Sequence, residues 1–310
     1  MIKRSSGLIC CLLAALFWGT TFVAQDAAAA TIPAFTFLAL RSFVGAGALL
    51  LLFLVKDKWG KGEALCPPDK GRARLTVFGG TLCGVFLCAA SALQQLGIAS
   101  NTGSPGKDAF ITALYIVFVP LIGLIFGKRA PLHIYGCVAV ALGGLWLLCM
   151  NGTALTTGDV QLMVCSLLFA CQMVLVDRIG NRVDAVRLSA MQFVVVGVLS
   201  TVLALVFEKP TLSGVLAGWW TVLYAGIFSS AIAYTLQIVG QQRTPPTLAS
   251  LVLSLESVVA VVASMIALGL YPAPAEIVGM LLIFIAIIVA QIPFKYKKAQ
   301  ALPSDPQNTP

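Results

Sequence analysis

The sequence predicts an all-α membrane protein of ten transmembrane helices arranged as two inverted five-helix repeats, and three observations support that prediction. Of 310 residues, 59% are hydrophobic and 10% charged, whereas an ordinary soluble domain carries about a quarter charged residues. The apolar residues gather in ten runs of roughly 17 to 24, and a helix rising about 1.5 Å per residue needs about 20 to cross the hydrocarbon. The second five runs also echo the first five.

The runs fall at 7–25, 34–55, 75–97, 105–126, 132–150, 159–177, 188–206, 216–239, 246–269 and 275–293. Their length and near absence of charge exclude a porin-type barrel, whose strands give about ten alternating residues each. Positive residues near span ends are retained on the cytoplasmic side. With the N-terminus inside, seventeen of the twenty lysines and arginines fall in inside segments, leaving Lys209 outside and Arg41 and Lys107 within spans. Both termini are therefore expected in the cytoplasm. Topology and anionic lipid account for the net charge of +8, so no nucleic-acid partner is expected. The nine cysteines lack paired metal spacing, and no metal or cofactor is expected. Lys3 and Arg4 before an apolar run resemble a signal peptide, but the run is long for one and its removal would spoil the symmetry.

That symmetry is weak but continuous. G-V-F-L-C-A-A-S-A-L-Q-Q at 84–95 lies on G-I-F-S-S-A-I-A-Y-T-L-Q at 226–237, and after a one-residue shift Pro131 meets Pro274 and Gly136 meets Gly279. Five is odd, so the second copy must enter the membrane in the opposite sense. Such repeats build many secondary transporters around a site near the midplane.

An ionisable group inside a span costs several kcal/mol or more unless it meets a partner or a wet cavity. Glu256 lies ten residues into its span, about 15 Å deep at 1.5 Å per residue. It is either a proton carrier facing a substrate or a hydrogen-bonded acid. Arg41 needs an anionic ligand or a carboxylate, and Asp26 is the nearest carboxylate in sequence. Ser104 and Pro105 suit the start of span four, which puts Lys107 in a first turn where a cation is disfavoured and Asp108 is not. Lys107 is thus an anion site, a gate or an interface anchor, and Asp108 a dipole partner or ion pair. Phe17, Trp18, Gln25, Gln94, Gln95, Tyr115, Gln172, Gln192, Tyr234 and Gln237 are further candidates to line a polar cavity.

A-L-F-W-G-T-T-F in span one, F-L-A-L-R-S-F in span two, G-K-D-A-F-I-T-A-L-Y-I-V-F-V-P-L-I-G in span four and L-V-L-S-L-E-S-V-V-A in span nine resemble the EamA group of the drug/metabolite transporter superfamily. The resemblance implies repeats over 5–150 and 158–295 and a multi-pass carrier in a bacterial inner membrane; the tail at 296–310, polar and proline-rich, is expected to be disordered in the cytoplasm. Trp18, Arg41, Lys107 and Glu256 fall where that group has recurrent residues. Lys128, Ser257 and Leu270 depart from it, standing where an acidic residue, a proline and an acidic residue are common.

Together these features lead to a secondary transporter, monomeric or homodimeric, exporting small amphoteric or anionic metabolites such as amino acids. Its expected substrate-binding residues are Trp18, Arg41, Lys107, Tyr115, Tyr234 and Glu256, with Glu256 also a candidate for proton coupling and Asp26 and Asp108 for a charge pair or gate. The alternatives are an organic cation or drug exporter, a nucleotide- or lipid-linked sugar carrier, and a membrane receptor or scaffold. No P-loop, H-E-x-x-H or G-x-S-x-G occurs, which argues against ATP drive and against an enzyme.

Overall fold

A computed structural model describes residues 2–58, 69–127, 131–149, 156–271 and 273–292; the expected tail at 296–310 and Lys128 lie outside them. Among the described residues every regular element is helical. The first half holds α1 (Ile2–Ala29), α2 (Ala34–Lys58), α3 (Lys70–Ser100), α4 (Pro105–Thr112), α5 (Tyr115–Ile125) and α6 (Leu132–Cys149). The second holds α7 (Thr157–Ile179), α8 (Ala185–Phe207), α9 (Leu212–Ala217), α10 (Trp219–Tyr224), α11 (Tyr234–Gln241), α12 (Pro246–Leu253), α13 (Leu255–Leu268) and α14 (Pro274–Gln291). A 3-10 turn, Gly180–Arg182, follows α7, and a π-helical segment, Ala225–Ala233, joins α10 to α11.

Eight stretches are long and apolar enough to cross a membrane, from Ser5–Ala29 to Pro246–Leu268, which makes this a multi-pass membrane protein. The fifth and tenth apolar runs form shorter apolar helices, Leu132–Gly144 and Ile277–Ala290, and these pack on each other as α6 on α14. Large apolar side chains such as Leu205 (77% exposed) and Ile266 (77%) cover the outside, as lipid-facing surfaces require.

Helix ends are capped by the chain itself. The Thr156 hydroxyl accepts from Asp159 N–H while the Asp159 carboxylate accepts from Thr156 N–H, satisfying two free donors at the start of α7. Ser104 makes no such side-chain bond; its carbonyl instead accepts Asp108 N–H at 3.0 Å, so α4 starts at Pro105 without the expected hydroxyl cap. The Glu208 carboxylate, just past α8, accepts from Phe35 N–H (2.7 Å), Thr36 N–H (2.8 Å) and the Thr36 hydroxyl (2.7 Å). An anion there complements the α2 dipole and ties α2 to α8.

Two spans are broken near their middle. Ala113 and Leu114 separate α4 from α5, and Ser254 separates α12 from α13. The pieces pack crosswise, α4 on α13 and α5 on α12, which brings both breaks together.

Between the halves, backbones approach closely at glycines. A Cβ on Gly97 would lie 3.0 Å from the Gly158 carbonyl and 2.7 Å from Leu162, and one on Gly240 would lie 3.1 Å from the Gly7 carbonyl and 2.5 Å from the Cys11 sulfur. Helices in lipid gain no hydrophobic drive from meeting each other, so small residues that let dispersion act at short range hold them together. Gly240→Ala is expected to lower the melting temperature in detergent by the equivalent of about 1–3 kcal/mol of overpacking. Gly143→Ala, whose added methyl meets nothing within 4 Å, is expected to leave it unchanged or slightly raised.

Candidate functional site

The crossing of the two broken spans sits beside a central cavity with about 30 Å³ of free volume, room for a water or two. Its wall takes Trp18 and Gln25 from α1, Arg41 from α2, Gln94 from α3, Gln172 from α7, Tyr234 and Gln237 from α11, and Glu256 from α13. Tyr115 opens α5 and Glu256 lies in the first turn of α13, so the break in each span aims one polar side chain inward. The Tyr115 hydroxyl donates to Glu256 Oε1 at 2.8 Å, the one hydrogen bond of that carboxyl to a described residue. The dipole at the start of α13 also favours a carboxylate there.

Arg41 is 3% exposed, with its guanidinium 5.6 Å from the centre of the Phe37 ring. Among the described residues it forms no ion pair, and its Nε has no hydrogen-bond partner. The pairing of Arg41 with Asp26 expected from their proximity in sequence does not form. Asp26 lies at the far end of α1, where its Oδ1 accepts from Gly103 N–H at 2.8 Å.

Two amide systems support the wall. The Gln237 amide donates to Gln172 (3.3 Å), that of Gln172 to Gln192 (2.8 Å), and that of Gln192 to the Leu188 carbonyl (3.3 Å). On the other side the Gln25 amide donates to Gln94 (3.2 Å) and Gln95 (3.1 Å). Gln95 and Gln192 therefore stand behind the wall rather than in it. Trp18 packs edge-on against Tyr234 (centroids 4.8 Å apart), which packs likewise on Phe193 (5.2 Å). Phe17, another cavity candidate, stacks instead on Phe228 at 5.5 Å. Trp18 Nε1, Thr112 Oγ1 and Gln237 Oε1 are buried without a partner among the described residues, so the wall presents unspent donors and acceptors.

Lys107 does not line this cavity. Its ammonium pairs with Asp159 Oδ2 at 2.8 Å, with side-chain exposures of 24% and 1%. The Asn101 amide donates to both Asp108 Oδ1 (2.9 Å) and Asp159 Oδ1 (3.0 Å), and the Thr156 hydroxyl donates to Asn101 Oδ1 at 2.8 Å. The compensation that a lysine in a first turn demands thus comes from α7. Sequence reading missed Asn101 and Asp159, although T-T-G-D at 156–159 carries the Thr/Asp spacing of a capping box. It also missed Thr112, Phe169, Met173 and Ser229 in the cavity wall, ordinary residues in apolar runs.

The model of the EamA-like transporter family matches residues 5–150 and again 156–291. An uncharacterized transporter of Archaeoglobus fulgidus is 24% identical over 296 residues, covering 94% of this chain and 87% of that protein. An uncharacterized transporter of Synechocystis sp. is 29% identical over 243 residues, covering 72% and 71%. One solved crystal structure superposes with a TM-score of 0.75 at 19% identity, covering 93% of this chain and 96% of the other, a likeness of fold alone.

Lys107→Gln is expected to destabilise the protein by about 1–3 kcal/mol, because it leaves the nearly inaccessible Asp159 short of its partner. Adding Asp159→Asn should restore part of the loss. Chemical denaturation of the two single variants and the double variant in detergent measures the coupling, and strictly additive losses would refute it.

Proposed function

The chain belongs to the EamA-like transporter family, and from that premise we propose that it is a secondary transporter exporting a small amphoteric metabolite, an amino acid or close derivative. Transport of the family's type needs no catalytic constellation, and the carrier works by alternating access around the central cavity. The observation behind the substrate class is that Arg41 and Glu256 line one cavity and neither meets an opposite charge there among the described residues. A zwitterion would supply a carboxylate to the first and an ammonium to the second. Trp18 and Tyr234 would pack its side chain, Tyr115 would hold the Glu256 carboxyl, and the glutamine chains would fix the wall. Lys107, Asp108 and Asp26 would act as a gate at their end, opening when the Lys107–Asp159 pair parts.

Ten crossings in two inverted halves are the architecture proposed to perform this. Exchanging helices one to five with six to ten maps neighbours onto neighbours. α3 on α7 becomes the span Trp219–Gln241 on α1, while α2 on α8 and α6 on α14 map onto themselves. Gly97 over Gly158 becomes Gly240 over Gly7, and the Tyr115–Glu256 bond joins corresponding positions of the two breaks. The clustering of lysine and arginine supports a bacterial inner membrane with both termini inside.

An organic-cation exporter is the second reading, favoured by Glu256 among the aromatic rings of Trp18, Tyr115 and Tyr234 and opposed by the unpaired Arg41. A ligand-dependent thermal-stability screen of the detergent-purified protein separates them. A neutral amino acid that stabilises the wild type and fails to stabilise both Arg41→Gln and Glu256→Gln is the expected result. Stabilisation by cations alone, lost only in Glu256→Gln, would replace the proposal by the second reading. In proteoliposomes, Glu256→Gln is expected to abolish substrate-driven proton movement while substrate exchange persists; unchanged proton movement would remove Glu256 from the coupling.

A further inference from the structure

We propose that the central cavity carries a subsite for a carboxamide, so that the preferred substrate is an amino acid whose side chain ends in that group. The inference rests on the amphoteric reading above, in which Arg41 and Glu256 take the two charged ends, and it concerns what the rest of the wall requires of the side chain.

Two atoms of fixed hydrogen-bonding character carry it. The indole Nε1 of Trp18 can only donate, and it is buried with no partner among the described residues. Gln237 Oε1 is buried and unpartnered there as well, and its identity as an oxygen is set from a distance. The Leu188 carbonyl can only accept, so Gln192 turns its Nε2 to it and its Oε1 to Gln172. Gln172 then meets Gln192 with Nε2 and Gln237 with Oε1, and Gln237 answers with its own Nε2. Its Oε1 is the atom left over. The three side chains are at most 1% exposed, and reversing any one amide would set like against like at its neighbour.

The donor and the acceptor belong to neighbouring residues. Trp18 packs on Tyr234 with ring centroids 4.8 Å apart, and Gln237 lies three residues further along α11, on the face that Tyr234 shares. All three line the cavity, yet Nε1 and Oε1 do not bond to each other. A group that satisfies both must accept from the indole and donate to the amide. A carboxylate can only accept, and an apolar side chain can do neither. A hydroxyl has one atom for both tasks, whereas a carboxamide has its carbonyl for the first and its NH₂ for the second. Thr112 Oγ1, buried and unpartnered in the same wall, can serve either end.

L-Asparagine, L-aspartate and L-leucine have side chains of nearly one shape and differ in just these groups. Each is titrated into the full-length protein in mild detergent, and Kd and melting temperature are recorded. Asparagine is expected to bind roughly tenfold or more tighter than either isostere, because each leaves a buried partner unpaired. Trp18→Phe and Gln237→Leu should bring asparagine and leucine together. Gln192 stands behind the wall as a positioning residue, and Gln192→Leu should narrow the preference for asparagine over aspartate by freeing Gln237 to turn Nε2 inward; a merely structural role would weaken both ligands alike. Equal affinities of the wild type for all three would overturn the subsite and leave the amphoteric reading standing, whereas binding of none would end both. Retention of the preference over leucine in folded Trp18→Phe would overturn the donor, and an unchanged asparagine to aspartate ratio in Gln192→Leu would overturn the role of the glutamine chain.

Discussion

Lipid gives two apolar helices no reason to leave it for each other, so a bundle in a membrane stands on whatever lets its backbones come closer than side chains normally allow. Here that is the set of glycine crossings between the halves. Gly97 rides on the Gly158 carbonyl and Gly240 on that of Gly7, and Gly84 and Gly226 lie against the Gln192 and Arg41 carbonyls in the same way. The last contact carries directly to the site, because the turn of α2 that receives Gly226 is the turn that holds Arg41. A side chain at that crossing would push the arginine away from the cavity and not merely loosen the packing.

The architecture treats its two halves alike, while the chemistry at the centre does not. Where one break supplies a carboxyl the other supplies a phenol, Glu256 against Tyr115. Arg41 stands opposite Gly226 as Gln192 stands opposite Gly84. A buried arginine and a buried glutamate without mutual neutralisation are expensive in a membrane interior, and the glutamine chains behind them stabilise neither charge directly. Their burial in one cavity wall, with no ion pair to either among the described residues, is what the proposed binding site rests on. The Lys107–Asp159 pair presents the opposite case, in which two charges near an end meet each other and leave nothing over for a ligand.

Much of this was legible in the sequence because lipid makes simple demands. A span must be about 20 apolar residues and its basic flanks must stay on one side, so the helices could be read from composition, and Arg41 and Glu256 stood out as charges that break the rule. What resisted reading depends on helix crossings. Nothing in T-A-L-Y or L-S-L-E announces a broken helix, and so the meeting of Tyr115 with Glu256 could not be anticipated. Asp26 and Arg41 looked like neighbours because of their spacing along the chain, whereas the end of α1 turns Asp26 towards the loop at Gly103. Asp159 looked like an ordinary span boundary; its part in the α7 capping box is local, and its pairing with Lys107 appears only once α4 lies against α7.

The π segment Ala225–Ala233 has a consequence for energy. Between the Gly84 and Gly226 contacts and those of Gly97 and Gly240, the register of the two halves lengthens by one residue, and the π segment lies in the longer copy, where an i to i+5 turn accommodates an extra residue. A carrier with identical halves would have end states of equal free energy, related by symmetry and equally populated without a gradient. In the alternating-access carrier proposed above, unequal halves would give the two end states unequal free energies, and the π segment is one backbone difference between the halves.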